Sequence, residues 1–259
     1  MLPGALGREQ AQQLALCTLQ RYIEPPLSRR SLAASPAGGL WADSLRARGA
    51  GEPPPALHSL AWATLGVHYD WQRRLYPSAE PGWCSPFPPQ LQQLCASLAG
   101  RVQAAAASSP LCATAPSAWG LPLAPYLSHA AIVSLYHCPS RSKARLPMGG
   151  HKDDALGECQ GAPVLSFSMG ATAVFLLGGA DKATPPQPLL LRCGDAMLLA
   201  GAARDCVHGV PRVLAEEREG EEGAAAVAAE PPALDEAAAL ARFLARSRIN
   251  ITVRTTTTI

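Results

Sequence analysis

The sequence predicts a mainly β protein, an antiparallel sandwich or jelly roll with helices placed before and beside it. Three observations lead there. In the second half, short apolar runs bounded by turn residues follow one another, at 130–136, 163–169, 172–177, 188–192, 196–200, 206–210 and 248–254. That spacing suits the strands of paired antiparallel sheets. The last run, Arg248-Ile249-Asn250-Ile251-Thr252-Val253-Arg254, alternates polar and apolar residues without a break, and a period of two belongs to a strand. The first half differs: two of its segments follow a helical period, and aromatic residues gather in one short piece between them.

The bulk numbers fit one such unit. A chain of 259 residues, 48% of them hydrophobic, can bury a full core. Its 22 basic and 20 acidic side chains leave a net charge of +2, so no electrostatic footprint announces nucleic acid and none excludes it. Twenty-five prolines, 22 glycines and 5% aromatic content predict many turns and argue against a long helical bundle. Eight cysteines without a C-x-x-C pair, and no secretory signal, predict free thiols in a reducing compartment. The expected location is therefore intracellular, in the nucleus or in a mitochondrion or other organelle. No apolar run has the length of a transmembrane helix.

Taken in order, residues 8–22 read as an amphipathic helix with Leu14, Cys17 and Leu19 inward, stopped by Pro25-Pro26. Residues 27–55 have turn chemistry and no period, which predicts an irregular excursion. Residues 60–71 form a strand-like piece with Trp62, Tyr69 and Trp71. After a proline-rich loop, 90–107 is helical through Leu91, Leu94, Leu98 and Val102, and 108–125 is loop. Met169-Gly170, Gly178-Gly179 and Cys193-Gly194-Asp195 then separate the strands. The stretch 215–236 is acidic, alanine-rich and proline-containing, a solvated insertion, and 234–246 returns as a short amphipathic helix before the last strand.

Two groups of residues carry chemistry. The polar face of the last strand offers Arg248, Asn250, Thr252 and Arg254. It is either the wetted side of an outer strand or a cradle for a carboxylate or phosphate, since guanidinium presents a planar fork to such anions. His151-Lys152-Asp153 follows the first core strand, and His208 lies far downstream. Taken singly, these are a loop residue and a core histidine. Together, two histidines and a carboxylate from different parts of a β domain form the facial triad of non-haem Fe(II) oxygenases, with three positions left for a bidentate co-substrate and O2. No thiolate belongs to the set, which argues against structural zinc. An arginine-bearing strand able to hold a dicarboxylate favours the iron reading, and 2-oxoglutarate is the dicarboxylate such enzymes use.

The runs PVLSFSMGATAVFLLGG and GDAMLLAGAARDCVHGVPRVL, followed by RINITVR, resemble the AlkB family of Fe(II)/2-oxoglutarate dioxygenases, and within it the AlkB homologue 1 subfamily. The resemblance implies a double-stranded β-helix core over 124–259, with 215–236 as its insertion. Residues 1–123 would be an N-terminal extension with helices that packs outside and builds the substrate lid, the two parts making one catalytic unit. It implies that His151, Asp153 and His208 bind Fe(II), and that Arg248 pairs with the distal carboxylate of 2-oxoglutarate. Asn250 and Arg254 would hold the other end and orient the ligating Asp. Ser134 and Tyr136, on the first core strand, stand where the family usually offers an Asn and a Tyr to the co-substrate. The pattern W-x-x-x-G-x-x-Y from Trp62 to Tyr69 is similar to the family's nucleotide-recognition segment, whose aromatics stack on a base; ordinary aromatic core is the other reading. The basic loop with Arg141, Lys143 and Arg145 would sit at the rim of the iron site, either solvated or on a nucleic-acid backbone.

The implied activity is oxidative demethylation of a methylated base in DNA or tRNA by a monomer. It consumes O2 and releases formaldehyde, succinate and CO2. Such a base has to leave its stack, which favours single-stranded or structured substrates. A protein (histone) demethylase or hydroxylase, an enzyme oxidising a carbon-bound methyl in RNA, and a binding module without turnover are the alternatives.

Overall fold

The computed structural model describes residues 1–32, 38–46, 56–107, 126–138, 148–159, 161–214 and 235–257. Among them nine strands form two antiparallel sheets: β1 (Ser28–Arg30), β2 (Trp62–Gly66), β3 (Ala130–His137), β4 (Val164–Gly170), β5 (Thr172–Leu177), β6 (Gln187–Leu191), β7 (Ala196–Leu199), β8 (His208–Leu214) and β9 (Ser247–Arg254). The large sheet runs β1-β2-β3-β9-β4-β7 and the small one β6-β5-β8. Val164, Met197 and Leu199 of the first pack with Ala173, Phe175, Leu191 and Val210 of the second, so the sheets lie face to face. This is the jelly roll that the strand spacing predicts, and the double-stranded β-helix that the resemblance implies.

β9 is the central strand, paired on one side with β3 and on the other with β4. Its Ile249, Ile251 and Val253 lie fully buried beside Val133, Leu135, Leu165, Phe167 and Met169. The helices α1 (Arg8–Cys17, continued as a wider turn to Tyr22), α2 (Leu40–Arg46), α3 (Pro89–Ala107) and α4 (Glu236–Arg246) supply the facing apolar residues. Each such Leu or Ile contributes about 1.5–3 kcal/mol by leaving water. One face of the large sheet is thereby closed by helices, and its other face, with the polar residues of β9, looks toward the small sheet.

Two expectations are corrected. In the first helix Ala11, Ala15, Thr18, Leu19 and Tyr22 are buried, whereas Leu14 and Cys17 are only half-buried. Small residues let the helix lie close to β4. The region expected to be irregular, 27–55, holds β1, paired with β2 from Ser28↔Leu65 to Arg30↔Ala63. It also holds α2, which buries Leu40 and Trp41. Strand β2 is shorter than the aromatic piece that announced it. Because β1 and β2 continue the sheet beyond β3, the division at residue 123 falls inside one structural layer. The predicted loop 108–125 and most of the acidic insertion lie outside the described residues.

Gly170 ends β4 where the chain passes to the small sheet. Its φ is +81°, and an added Cβ would collide with the Ser247 carbonyl oxygen, so only glycine serves this corner. All seven cysteines among the described residues are free. Of those residues, no helix is long and apolar enough to cross a membrane.

Beyond the end of β2, His68 is 3% exposed, with Nδ1 2.9 Å from the Thr64 hydroxyl. Burial, helped by the nearby Arg29 charge, pushes its pKa down to about 4. The folded state thus favours the neutral ring. The stabilisation is complete above the ordinary histidine pKa near 6.5 and is lost as pH falls from there toward 4. On the order of 3 kcal/mol is at stake. Denaturant unfolding of the wild type should show this loss and His68→Gln should lack it; equal pH dependence of the two would refute the assignment.

Candidate metal and anion site

A cavity of about 390 Å³ opens between the two sheets. His208 is the first residue of β8, and His151 lies on the segment leading from β3 to β4. The two residues exchange backbone hydrogen bonds, each N–H donating to the other's carbonyl at 2.9 Å. This zips the loop to the strand and brings the imidazole centres to 4.6 Å. Asp153 follows two positions later, on the same side. The Nδ1 of His151 lies 2.9 Å from the Gly149 carbonyl and that of His208 3.0 Å from the Cys206 carbonyl. A carbonyl only accepts, so each Nδ1 carries a proton, and in the neutral ring Nε2 is then the nitrogen that offers a lone pair. These Nε2 atoms sit 3.9 and 3.7 Å from the Asp153 oxygens, and one ligand atom from each of the three residues lies within 4.8 Å of the others. The separations exceed a hydrogen bond and suit three donors around one ion.

The electrostatics keep the donors ready. Burial pushes the Asp153 carboxyl up, but Arg254, with Nη2 2.6 Å from Oδ1, and the two imidazoles outweigh it and hold the pKa down to about 2. His208 is pushed down by burial, with Asp153 opposing. A carboxylate and neutral imidazoles are what a divalent metal requires. Arg254 Nε also lies 3.0 Å from Glu158 Oε1, and Glu158 pairs with Arg204.

Register explains the anion cradle. Arg248 stands opposite Tyr136, Asn250 between Ser134 and Ser168, and Thr252 between Ile132 and Ser166. Arg248, Asn250, Thr252 and Arg254, the polar face of β9, therefore all line the cavity. Arg248 is 1% exposed, which rules out the wetted outer strand. Its Nη2 donates to Ser168 Oγ at 3.0 Å and to Asn250 Oδ1 at 2.8 Å, and Asn250 Nδ2 donates to Thr252 Oγ1 at 2.8 Å. Its Nε and Nη1 find no hydrogen-bond partner among the described residues. A buried guanidinium with half its fork unused is costly, and an anionic ligand is what completes it. The Tyr136 ring centre lies 5.3 Å from the guanidinium carbon, and burial pushes the tyrosine pKa up, keeping its hydroxyl a neutral donor. The residues thus fit both a divalent metal and a dicarboxylate.

The substrate side is less as the sequence suggests. Ser134 and Tyr69 line the cavity, but Trp62 does not. It packs behind Trp71 with ring centres 4.9 Å apart, and Tyr69 meets Trp71 edge-on at 4.7 Å. Trp71, 41% exposed, is the aromatic at the cavity mouth, with Arg74 and Lys152 also lining it. The W-x-x-x-G-x-x-Y pattern ends two residues short of Trp71, so the motif passes over it. Arg141, Lys143 and Arg145 lie outside the described residues.

Residues 16–254 match the family model of the 2OG-Fe(II) oxygenase superfamily. The chain is similar to the DNA N(6)-methyladenine demethylase ALKBH1A of Arabidopsis thaliana, 35% identical over 199 residues, which cover 76% of this chain and 49% of that one. It is also similar to the nucleic acid dioxygenase ALKBH1 of Homo sapiens, 31% identical over 213 residues, covering 78% and 47%. The chain spans about half the length of these curated relatives. The solved structure of OsALKBH1 resembles it with a TM-score of 0.58 over 98% of this chain and 95% of that one, at 18% identity, a likeness of fold.

Proposed function

Since the chain belongs to the 2OG-Fe(II) oxygenase superfamily, with AlkB homologue 1 proteins among its relatives, we propose that it demethylates methylated bases in DNA or tRNA. The observation that carries this reading is the half-used guanidinium of Arg248, buried in the same cavity as His151, Asp153 and His208. When bound, iron with 2-oxoglutarate and O2 supplies oxidation of an N-methyl C–H bond, and 2-oxoglutarate ends as succinate and CO2. His151, Asp153 and His208 would hold the ion. Arg248 would take the distal carboxylate, with Ser168 and Asn250 fixing the guanidinium and Tyr136 donating from the neighbouring strand β3. Phe175, Leu191 and Val210 give the cavity an apolar wall that keeps water from the reacting centre.

A cavity between two sheets admits a base only once it has left its stack, which supports single-stranded or structured nucleic acid as substrate. Trp71 at the mouth offers a face for stacking, and Arg74 and Lys152 offer charge to the neighbouring phosphates. The free thiols suit an intracellular enzyme in the nucleus or an organelle, and we read it as a monomer.

The test is formaldehyde and succinate release from methylated DNA and tRNA oligonucleotides and from methylated histone-tail peptides, with and without Fe(II) and 2-oxoglutarate. Oligonucleotides should be turned over only with both present. Trp71→Ala should cost about 1–3 kcal/mol in oligonucleotide binding, and Trp62→Ala less, because it props Trp71 from behind. Turnover of peptides alone would reject the nucleic-acid reading, and oligonucleotide binding untouched by Trp71→Ala would reject the stacking role of Trp71.

A further inference from the structure

We propose that Arg204 is a positioning residue that ties the two metal-ligand loops into one frame, a proposal that rests on the metal reading above. Arg204 sits on the short turn Gly201–Asp205 that leads into β8, and it is 4% exposed. Its guanidinium is fully engaged: Nε donates to the Ala162 carbonyl at 3.0 Å, Nη1 to the Asp153 carbonyl at 2.5 Å, and Nη2 pairs with Glu158. Glu158 in turn faces Arg254 Nε at 3.0 Å, and Arg254 Nη2 holds Asp153 Oδ1 at 2.6 Å. The contacts close a ring. Asp153 is gripped at its main chain by Arg204 and at its carboxylate by Arg254, and Glu158 joins the two arginines.

The same turn reaches the other ligand. The carbonyl of Cys206, directly after it, accepts from the ring of His208 at 3.0 Å. One segment therefore sets the imidazole of His208 and the backbone of Asp153 together. Stability alone is a poor reason for this arrangement, because a buried ion pair costs desolvation that a well-packed apolar pair avoids. A planar fork meeting three fixed acceptors does, however, define position sharply, as lysine cannot.

The experiment titrates the metal-free protein with Mn(II), a redox-inert substitute for Fe(II), and records its thermal unfolding separately. The double variant Arg204→Met with Glu158→Gln removes both charges at once, so neither is left buried alone. Its Mn(II) dissociation constant should rise roughly 10–100-fold, the usual cost of losing groups that orient metal ligands, while its metal-free Tm stays near that of the wild type. Arg204→Lys should lose at least about threefold, since a single ammonium cannot meet all three acceptors. A double variant that lowers Tm yet binds Mn(II) as the wild type does would overturn the proposal. If that variant does not fold, Arg204→Lys decides on the same titration, and wild-type affinity there overturns it equally. A wild type that binds no Mn(II) would remove the metal reading itself, and this proposal with it.

Discussion

Asp153→Ala is expected to abolish succinate formation and to destabilise the metal-free fold. The first effect follows from the site. Without the carboxylate only His151 and His208 remain, and two neutral imidazoles do not hold a divalent ion as three ligands do. The second effect is one that the sequence alone does not suggest, since a ligand on a loop can be removed without touching a core. Here Asp153 is buried and pairs with Arg254 at 2.6 Å. Truncating it leaves Arg254 with Glu158, whose charge Arg204 already shares. Breaking a buried pair from one side costs on the order of 3–5 kcal/mol, several degrees of Tm for a chain of this length. Asp153→Asn separates the effects. Its amide oxygen can still accept from Arg254, so the variant should unfold closer to the wild type, yet it offers the metal no anion. Succinate measured by NMR and unfolding measured without metal decide both. Near-wild-type turnover of 2-oxoglutarate in either variant would reject the iron assignment. An unchanged Tm for Asp153→Ala would reject the account of the buried pair.

The strands of the jelly roll were legible because each shows a short apolar run closed by turn residues. β1 was not, being three residues long with a serine and two arginines; only its pairing with β2 makes it a strand. α2 was hidden for a similar reason. Its Leu40 and Trp41 are buried by helices and a turn distant in sequence, and its own span is too short for a helical period to show. In the site, His151, Asp153, His208 and the β9 polar face could be found because their spacing carries the chemistry directly. Trp71 could not be singled out, since nothing in sequence says which of the five tryptophans reaches a cavity mouth. Arg204 and Glu158 are harder still. A lone arginine in GAARDC and a glutamate in a glycine-containing loop read as solvated charges, and only the fold pairs them with each other beside Asp153.

Arg248, buried without a carboxylate partner among the described residues, gives the sharpest prediction. Arg248→Lys is expected to raise the Kd for 2-oxoglutarate by roughly 10–100-fold, about 1.4–2.8 kcal/mol. Three losses combine. The planar fork goes, and with it the bidentate grip on a carboxylate. Nη2, which donates to Ser168 and Asn250, goes as well, so the lysine has to choose between those acceptors and the ligand. Burial then acts on the new group. It already lowers the Arg248 pKa, which guanidinium tolerates, but an ammonium in the same place sheds its proton far more readily. Burial thus lowers the pKa of the lysine, and raising the pH from 7 to 8 should weaken co-substrate binding further in the variant while leaving the wild type unchanged. Titrating 2-oxoglutarate at the two pH values, with tryptophan fluorescence as the signal, measures both. An unchanged affinity would mean that Arg248 does not meet the anion, and a loss independent of pH would keep the fork but discard the protonation argument.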